Sequence, residues 1–427
     1  MRFTPKVIPS RSGNVGLIQL NNPKALNSLD LDMVRFLNDI LPTYTSASAK
    51  GSASALKATI WTSNNEKRKA FCAGGDMKRI YQAGMGLNTH TPDAKAHEKK
   101  LHGYGTRGLT TADFLHEEYQ LNHKIAMQRQ RKQKQNSIPQ VSIWDGIVMG
   151  GGVGLSIHGK HRVATQHTVF AMPETSIGFF CDVGATFSLP RIQVSGNSDT
   201  GIGNYIALTG ARLRSDDLMY SGLATHYIPS ERIEQTIQAI VTESMEENDD
   251  NNSDCAAGPL MANHEELKKD ESFLARHREY IDDAFGSDKE CVEDIVIALE
   301  TQQHQQRSKD QTSFATNTLK TLRNMSPTSL KITLESMMRG KKLDTIADCL
   351  KMEYRMGQVS LRHGSDFYEG IRAALVDKDG APKWNPSSLE HVTDDIVASY
   401  FESLGDHDLV LEDESTGSVS VPITSQF

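Results

Sequence analysis

A strand, a glycine-rich turn and a helix follow one another more than once in the first half of the chain, and this order constrains the fold most. Val15–Leu20 and Ala58–Thr62 are short runs typical of β-strands. Ile138–Trp144 and Arg162–Thr165 have the same character. Because repeated strand–turn–helix units favour parallel strands that are connected by helices, the sequence predicts an α/β fold.

Apolar residues at helical spacing predict a helix between the first two strands. They run from residue 29 to residue 41, and Pro42 is expected to end the helix because proline lacks the N–H that the helix needs. The glycine run at 150–152 is expected to open a short helix that reaches His158.

Two segments interrupt this pattern, and the last third of the chain has another character. Residues 84–113 lack a clear period and are interpreted as a mobile flap or surface loop. Residues 243–254 are acidic and low in complexity, which indicates a linker. Further on, Ser326 and Pro327 form an N-cap and first-turn pair, and Gly340 is expected to end the helix that they begin.

Composition excludes several classes of protein. The chain has 46 basic and 54 acidic residues, and this net charge of -8 argues against nucleic-acid binding. No apolar stretch approaches the 18 residues of a membrane span, and the first residues resemble neither a signal peptide nor an amphipathic presequence. Five isolated cysteines indicate free thiols in a reducing compartment, without a disulfide framework or a zinc site.

Two glycine-rich turns are the first candidates for chemistry. Ala73–Asp76 and Gly150–Gly154 each follow a strand and open a helix, so each would present unpaired backbone N–H groups at a positive helix end. Glycine also allows tight packing of a strand against a helix, and this interpretation stays open for either turn alone. Two such turns that face one oxygen atom would form an oxyanion hole.

Other binding and catalytic motifs fail in their details. Gly154–Lys160 has the spacing of a phosphate-binding loop, but His161 follows where a Ser or Thr should bind magnesium. Gly152 and Gly154 begin a dinucleotide fingerprint that Ile157 breaks. The sequence contains neither a GxSxG turn nor an HExxH motif, and we predict no metal site.

Two acids stand among apolar residues. Glu174 follows the run Phe170–Pro173, and Asp182 follows Phe179–Cys181. A buried carboxylate is costly unless it is paired or hydrogen-bonded, so such acids are typical of acid/base sites. A helix-capping role for one of them is the alternative, and the catalytic interpretation is favoured.

Taken together, the motifs resemble a known family. In order they are NNPKALNSL (21–29), AFCAGGD (70–76), GGGVGLSIHG (150–159), MPETSIGFFCDVG (172–184) and ALTGARL (207–213). They are similar to the crotonase superfamily, and specifically to its 3-hydroxyisobutyryl-CoA hydrolase branch. The resemblance continues through MSPTSLKIT (325–333), MEYRMGQ (352–358) and FYEGIRAALVDKDGAPKWNP (367–386), and so covers about residues 15 to 403.

This resemblance implies the architecture of the chain. The expected fold is α/β, with a spiral of ββα turns and a helical C-terminal part. We therefore expect a single crotonase-type catalytic domain with a C-terminal tail, with these bounds: domain 10–405, spiral core about 10–230, acidic linker 243–254, helical part about 260–405 and tail 406–427.

The resemblance also implies an oxyanion hole and a site for coenzyme A. The two amide donors of the family map onto Gly75 and Gly151. Backbone contacts to the coenzyme A part of the substrate map onto the segment from Lys24 to Leu26. Coenzyme A belongs to the substrate, and no cofactor is expected.

The hydrolase branch implies substrate-binding and catalytic roles for Glu118, Gly151, Glu174 and Asp182. In the resulting mechanism Glu174 acts on the thioester carbonyl carbon, either as a nucleophile or by activating water. Asp182 orients the 3-hydroxyl of the substrate or assists proton transfer to the leaving thiolate. For Glu118 a role as part of a solvated helix face stays open.

One position separates the hydrolase branch from the enoyl-CoA hydratases. Hydratases resemble this chain but have a second glutamate where Gly154 stands, so hydration by two glutamates is disfavoured. The chain departs from the branch at Cys181, where proline is usual, and in the longer basic stretch 127–136, which is interpreted as a solvated helix face.

The expected function is hydrolysis of 3-hydroxyisobutyryl-CoA, and of 3-hydroxypropionyl-CoA as a second substrate, in valine catabolism. An enoyl-CoA hydratase or isomerase, and an inactive relative that serves as a structural subunit, are the alternatives. The resemblance implies a mitochondrial location, with the cytoplasm and the peroxisome left open. The expected partner is the acyl-CoA substrate, without nucleic acid or membrane, and a homo-oligomer stays open.

Overall fold

A computed structural model describes residues 5–45, 56–64, 69–86, 110–130, 138–197, 200–246, 254–305 and 308–411. The strands are β1 (Val7–Ser12), β2 (Val15–Leu20), β3 (Ala58–Ser63), β4 (Ala70–Cys72), β5 (Gln140–Trp144), β6 (Ile147–Met149), β7 (His161–Ala164), β8 (Val169–Ala171) and β9 (His226–Tyr227).

The α-helices that the structure describes up to residue 263 are α1 (Leu31–Thr45), α2 (Met77–Gly84), α3 (Thr110–Gln130), α4 (Gly151–Gly154), α5 (Ala185–Ser188), α6 (Ile202–Thr209), α7 (Ser215–Tyr220), α8 (Ile233–Met245) and α9 (Ala257–Asn263). Those that follow are α10 (Phe273–Arg276), α11 (Arg278–Phe285), α12 (Val292–Gln305), α13 (Lys309–Asn324), α14 (Pro327–Lys342), α15 (Ile346–Ser360), α16 (Asp366–Ile371) and α17 (Asp394–Ser399). Within the described ranges no helix combines the length and the apolar character that a bilayer span requires.

The chain divides into two compact units. Unit 1 consists of Met1–Gly75, Gln120–Phe170 and Arg212–Ala275. Unit 2 consists of Asp76–Tyr119, Ala171–Ala211 and Arg276–Phe427.

Unit 1 is built on a six-stranded sheet with the order β1-β2-β3-β5-β7-β9. Only the β1–β2 pair is antiparallel in this sheet, and the other pairs are parallel. A smaller sheet has the order β4-β6-β8. Strand β5 is buried at every position, as parallel strands that are covered on both faces usually are.

The core of unit 1 lies where this sheet meets α8 and α9. It contains aliphatic residues of three neighbouring parallel strands, together with residues of both helices: Ile60, Val141, Val163, Ile240 and Leu260. Strands and helices therefore share one apolar layer, as is usual in folds that pack helices on a mostly parallel sheet.

Unit 2 is mainly helical. Its aromatic core includes Tyr205 on α6, whose ring meets that of Phe285 edge to face at 5.3 Å, and Phe314 on α13 at 5.9 Å. Helix α14 begins as predicted, since the Ser326 side chain accepts a hydrogen bond from the Ser329 amide and Pro327 occupies the first turn.

Several sequence-based expectations for the elements are confirmed and three are wrong. The strands near residues 15, 58, 140 and 162 are present, and their pairing is parallel. Helix α1 continues past Pro42 to Thr45, because one missing N–H near a helix end removes only one bond. Helix α14 passes Gly340 and ends at Lys342, and α4 ends at Gly154, before the predicted His158.

Some predictions lie wholly or partly outside the described residues. The predicted flap covers 84–113, and residues 87–109 of it are not described. Of the basic stretch 127–136 the residues after Gln130 are not described, of the linker 243–254 residues 247–253, and of the tail 406–427 the residues from 412 onwards.

Candidate active site

The first glycine-rich corner follows β4 in unit 1. Gly74 adopts a φ of +99°, which favours glycine, and its carbonyl accepts a hydrogen bond of 2.8 Å from the Leu29 amide. After Gly75, the Asp76 side chain caps α2 by accepting a bond of 3.1 Å from the Arg79 amide. The corner thus changes direction from strand to helix within four residues.

The second corner follows β6 and also lies in unit 1. Gly150 adopts a φ of +46° and precedes α4. A Cβ atom added to Gly152 would overlap the Cys72 carbonyl oxygen, so the second corner packs backbone to backbone against the first. A Cβ on Gly74 would lie 3.7 Å from the Gly151 amide nitrogen. The two corners predicted from the sequence are therefore neighbours.

The amides of Gly75 and Gly151 are the candidate donors of the two corners. Among the described residues, neither the Gly75 nor the Gly151 amide donates a backbone hydrogen bond. Gly151 is buried and Gly75 is partly exposed. Backbone donors at such a site need no side-chain reorganisation when an oxyanion forms.

The structure places the Lys24–Leu26 segment beside the first corner. The Leu26 carbonyl accepts a hydrogen bond of 3.0 Å from the Ala73 amide. Leu26 and Asn27 both have positive φ angles, of 53° and 57°, which is unusual for residues with side chains. Lys24 is exposed at this turn.

Glu174 opens a short 3-10 turn of unit 2 at Glu174–Ile177. Gly178 ends the turn with a φ of +71°, and a Cβ there would overlap the Asp366 carbonyl oxygen of α16. The Glu174 side chain is 6% exposed, and its Oε2 atom has no hydrogen-bond partner among the described residues. A buried carboxylate oxygen without a partner is a candidate for contact with substrate or water.

Asp182 lies on a second turn of unit 2 and is 5% exposed. The turn continues through Val183 and Gly184, which both have positive φ angles, of 57° and 80°. The Tyr119 hydroxyl donates a hydrogen bond of 2.7 Å to Asp182 Oδ2. One carboxylate oxygen of Asp182 is therefore fixed by a neutral donor.

Glu118 is buried on α3 and is 2% exposed. Its Oε1 atom has no partner among the described residues. Interpreting Glu118 as part of a solvated helix face is therefore wrong, because burial removes the carboxyl from water.

Burial and mutual repulsion raise the pKa values of these acids. For Glu118 burial is the main cause, followed by the charges of Asp182 and Glu174. Burial also raises the pKa of Glu174, with the charge of Asp182 as the second cause. The pKa of Asp182 rises to about 7 through burial, although the Tyr119 hydrogen bond opposes the rise. Glu118, Glu174 and Asp182 therefore form one interacting group.

A fourth buried acid, Glu353 on α15, was not predicted from the sequence. It is fully buried, and burial followed by the charge of Asp182 raises its pKa to about 8. A signal was present, since Glu353 lies four residues after Cys349 and four before Gly357, on the apolar face of its helix. Tyr119 was also missed, although it is next to Glu118.

The two units contain different groups that are candidates for chemistry. Unit 1 contains two neighbouring corners in which the Gly75 and Gly151 amides donate no backbone hydrogen bond to a described residue, and such donors suit a developing oxyanion. Unit 2 contains four buried acids with raised pKa values, Glu118, Glu174, Asp182 and Glu353. The pKa of Asp182 rises to about 7, which suits proton transfer near neutral pH.

Curated proteins similar to this chain include 3-hydroxyisobutyryl-CoA hydrolases. The mitochondrial protein of Dictyostelium discoideum is 38% identical over 95% of this chain and 93% of its own length. The mitochondrial protein of Mus musculus is 38% identical over 95% of this chain and 90% of its own, and that of Homo sapiens is 37% identical over the same shares.

Two solved structures resemble the whole chain. A carnitinyl-CoA dehydratase from Mycobacterium thermoresistibile has a TM-score of 0.75 and 32% identity, covering 96% of this chain and 99% of its own. An enoyl-CoA hydratase from Rhodobacter sphaeroides has a TM-score of 0.73 and 29% identity, covering 95% and 100%. The chain shares with them the crotonase fold, a mixed α/β fold with a parallel sheet at its core.

A sequence profile matches nearly the same region. It describes the enoyl-CoA hydratase/isomerase family and covers residues 15–401. With the whole-length similarity to curated hydrolases, this shows that the chain belongs to the enoyl-CoA hydratase/isomerase family of the crotonase superfamily, in its 3-hydroxyisobutyryl-CoA hydrolase branch.

Proposed function

We propose that this chain hydrolyses 3-hydroxyisobutyryl-CoA, a step of valine catabolism, and accepts 3-hydroxypropionyl-CoA as a second substrate. Water adds to the acyl carbon, the carbon–sulfur bond breaks, and a hydroxy acid and coenzyme A are released. Oxidation states do not change, so the reaction itself calls for no redox cofactor. Similarity to curated hydrolases over 95% of the chain supports the assignment.

In this proposal the thioester oxygen is bound by the amides of Gly75 and Gly151. The neighbouring corners and the absence of other backbone acceptors for these amides, among the described residues, support the role. The segment Lys24–Leu26, next to the first corner, is proposed to contact the coenzyme A part of the substrate. The loss of one oxyanion-hole donor typically lowers the rate by about 10²–10³-fold.

Glu174 is the proposed catalytic group, either as a nucleophile or as the base that activates water. The observation that carries the proposal is its buried carboxyl, whose Oε2 atom has no partner among the described residues. Burial and the charge of Asp182 raise the pKa of Glu174, which makes its carboxylate a stronger base. Glu118 is proposed to contact the substrate.

Asp182 is proposed to orient the 3-hydroxyl of the acyl group or to assist protonation of the thiolate. Its Oδ2 atom is held by Tyr119, and the shift of its pKa to about 7 allows either protonation state near neutral pH.

The decisive experiment measures thiol release from a panel of acyl-CoA substrates. The wild type should release coenzyme A from 3-hydroxyisobutyryl-CoA and 3-hydroxypropionyl-CoA faster than from butyryl-CoA. Glu174→Gln should lower kcat by about 10²–10⁴-fold while the thermal unfolding temperature changes little. Exposed Glu402→Gln serves as the matched control and should behave like the wild type. Near-normal hydrolysis by Glu174→Gln would remove Glu174 from the mechanism.

Hydration of an enoyl-CoA is the second candidate, because both similar solved structures are named for hydration or dehydration. Gly154, buried in α4, argues against the two-glutamate route because it has no side chain. Crotonyl-CoA separates the two reactions, since hydration removes the absorbance of the conjugated double bond without releasing a thiol. Rapid loss of that absorbance together with no thiol release from any hydroxyacyl-CoA would assign the chain as a hydratase.

We further propose a mitochondrial location, supported by the names of the similar curated hydrolases. Fractionation of cells that express the chain at its native level tests this proposal. Recovery in the cytosolic or peroxisomal fraction would contradict it.

A further inference from the structure

A buried acid with no place in the proposed reaction holds the turn that carries Asp182. Glu353 Oε2 accepts a hydrogen bond of 2.7 Å from the Gly184 amide. Glu353 Oε1 accepts one of 3.2 Å from the Thr186 amide and one of 2.5 Å from the Thr186 hydroxyl. Both oxygens of one side chain are thus used by the residues that follow Asp182.

The turn requires such support because its backbone is strained. Val183 is β-branched and has a φ of 57°, a conformation that such residues rarely adopt. Gly184 follows with a φ of 80°. Strained backbone persists only where surrounding structure holds it, and it gathers at functional sites.

Helix α15 provides a fixed support for Glu353. Arg355 forms two hydrogen bonds of 2.8 Å with the Asp408 carboxylate. A Cβ on Gly357 would meet Leu115 Cδ1 at 2.5 Å, which places α15 directly against α3. On α3, Tyr119 in turn donates to the Asp182 carboxylate. The backbone next to Asp182 and its side chain are therefore held by two helices that pack on each other.

A carboxyl group is the side chain that this arrangement needs. Two amides and one hydroxyl surround Glu353, and both of its oxygens can accept a hydrogen bond from an amide in either protonation state. When Glu353 is protonated, as its raised pKa of about 8 favours at neutral pH, its O–H can donate to the Thr186 hydroxyl. An amide at this position would turn an N–H donor towards either Gly184 or Thr186 and leave a donor facing a donor. The hydrogen-bond pattern therefore distinguishes Glu from its isostere Gln.

We propose that Glu353 is a positioning residue, which fixes the strained turn at Val183 and Gly184 and thereby sets the location of the Asp182 carboxylate. The inference rests on the proposed function, because Asp182 matters for the rate only if it acts on the substrate. Glu353 itself is not expected to touch the substrate.

The test compares Glu353→Gln with a matched buried acid. In unit 1 Asp217 is also buried and accepts bonds from the amides of Leu274 and Arg214. Both variants should lose stability, since each leaves a buried amide unsatisfied. Only Glu353→Gln should lower kcat on 3-hydroxyisobutyryl-CoA, by roughly 10²-fold with KM within about twofold, as expected when a catalytic group is displaced. Asp217→Asn should keep the kcat of the wild type.

Thr186→Val is a milder second variant, because it removes one of the three donors without a large change in volume. Its kcat should lie between those of the wild type and Glu353→Gln. Hydrogen exchange of the peptide that spans residues 182–188, followed by mass spectrometry, should be faster in both variants and unchanged in Asp217→Asn.

These measurements separate the inference from the proposed function. A wild type that hydrolyses no acyl-CoA refutes the function, while the exchange rates still decide whether Glu353 holds the turn. A wild-type kcat in Glu353→Gln, or unchanged exchange at 182–188, overturns the inference. Equal loss of kcat in Asp217→Asn would overturn it too, because stability alone would then explain the loss.

Discussion

At the scale of the residue, burial is the main cause of the raised pKa values of Glu174, Asp182 and Glu353. Glu174 and Asp182 follow apolar runs in the sequence, and that pattern correctly predicted that both are buried. Glu353 could not be assigned in the same way, because its partners are amides more than 160 residues away. A one-dimensional pattern shows the apolar face of a helix, but not the turn that packs on it.

Substitution of Asp182 tests whether its carboxyl recognises the 3-hydroxyl of the acyl group. Asp182→Asn should lower kcat/KM for 3-hydroxyisobutyryl-CoA about tenfold or more, and for butyryl-CoA less, because only the first substrate offers a hydroxyl. Thiol release from both substrates measures the ratio. An equal loss on both would assign Asp182 to protonation of the leaving thiolate.

Tyr119→Phe removes the hydroxyl that donates to Asp182 and little else. Because that hydrogen bond lowers the pKa of Asp182, its loss should raise this pKa above about 7. We expect the pH profile of kcat to shift to higher pH, as Asp182 ionises later. A profile that coincides with that of the wild type would show that Asp182 ionisation does not limit the rate.

At the scale of the element, the two glycine corners were predicted from strand, turn and helix order, and the structure shows them in contact. The short strands β4 and β6, which bring them together, were not predicted, because three residues give too little pattern. Edge strand β1 was missed as well, since it contains Pro9 and is largely exposed. Proline and glycine signals located the ends of α1 and α14 only to within a few residues.

The contact between the corners predicts the effect of a single methyl group. In Gly152→Ala the new Cβ would overlap the Cys72 carbonyl oxygen, so the free energy of unfolding should fall by about 1–3 kcal/mol and the activity should fall with it. In Gly258→Ala, on α9, the new Cβ would meet nothing within 4 Å, and the free energy of unfolding should rise by about 0.5–1 kcal/mol. Urea denaturation of both variants measures the difference. Equal stabilities would contradict this packing.

At the scale of the whole molecule, the sequence predicted the family fold, while the buried charge of unit 2 became visible only in the structure. Four buried acids with raised pKa values bind protons in the folded state that the unfolded chain releases near pH 4. The stability that such acids contribute is fully present at pH values below their pKa in the unfolded chain. It is lost as the pH rises towards their pKa in the folded protein.

We therefore expect the free energy of unfolding to fall between pH 6.5 and pH 8. In this range the folded protein still holds protons on Asp182 and Glu353, whose pKa values are about 7 and about 8, while the unfolded chain has released them. The slope should approach about 1.4 kcal/mol per pH unit for each proton that the fold retains. His226, whose pKa is lowered to about 4, adds an opposite slope only below about pH 6.5. Urea denaturation at several pH values checks this, and a shallower slope is expected for Glu353→Gln.

The positions of the cysteines allow the opening of each unit to be followed separately in solution. Cys291 is exposed, while Cys72 and Cys255 are buried in unit 1 and Cys181 and Cys349 in unit 2. An alkylating reagent should therefore modify Cys291 at once and the other four only when their surroundings open. Mass spectrometry of pulse-labelled peptides would then show, from the native thiols alone, whether one half of the chain loosens before the other.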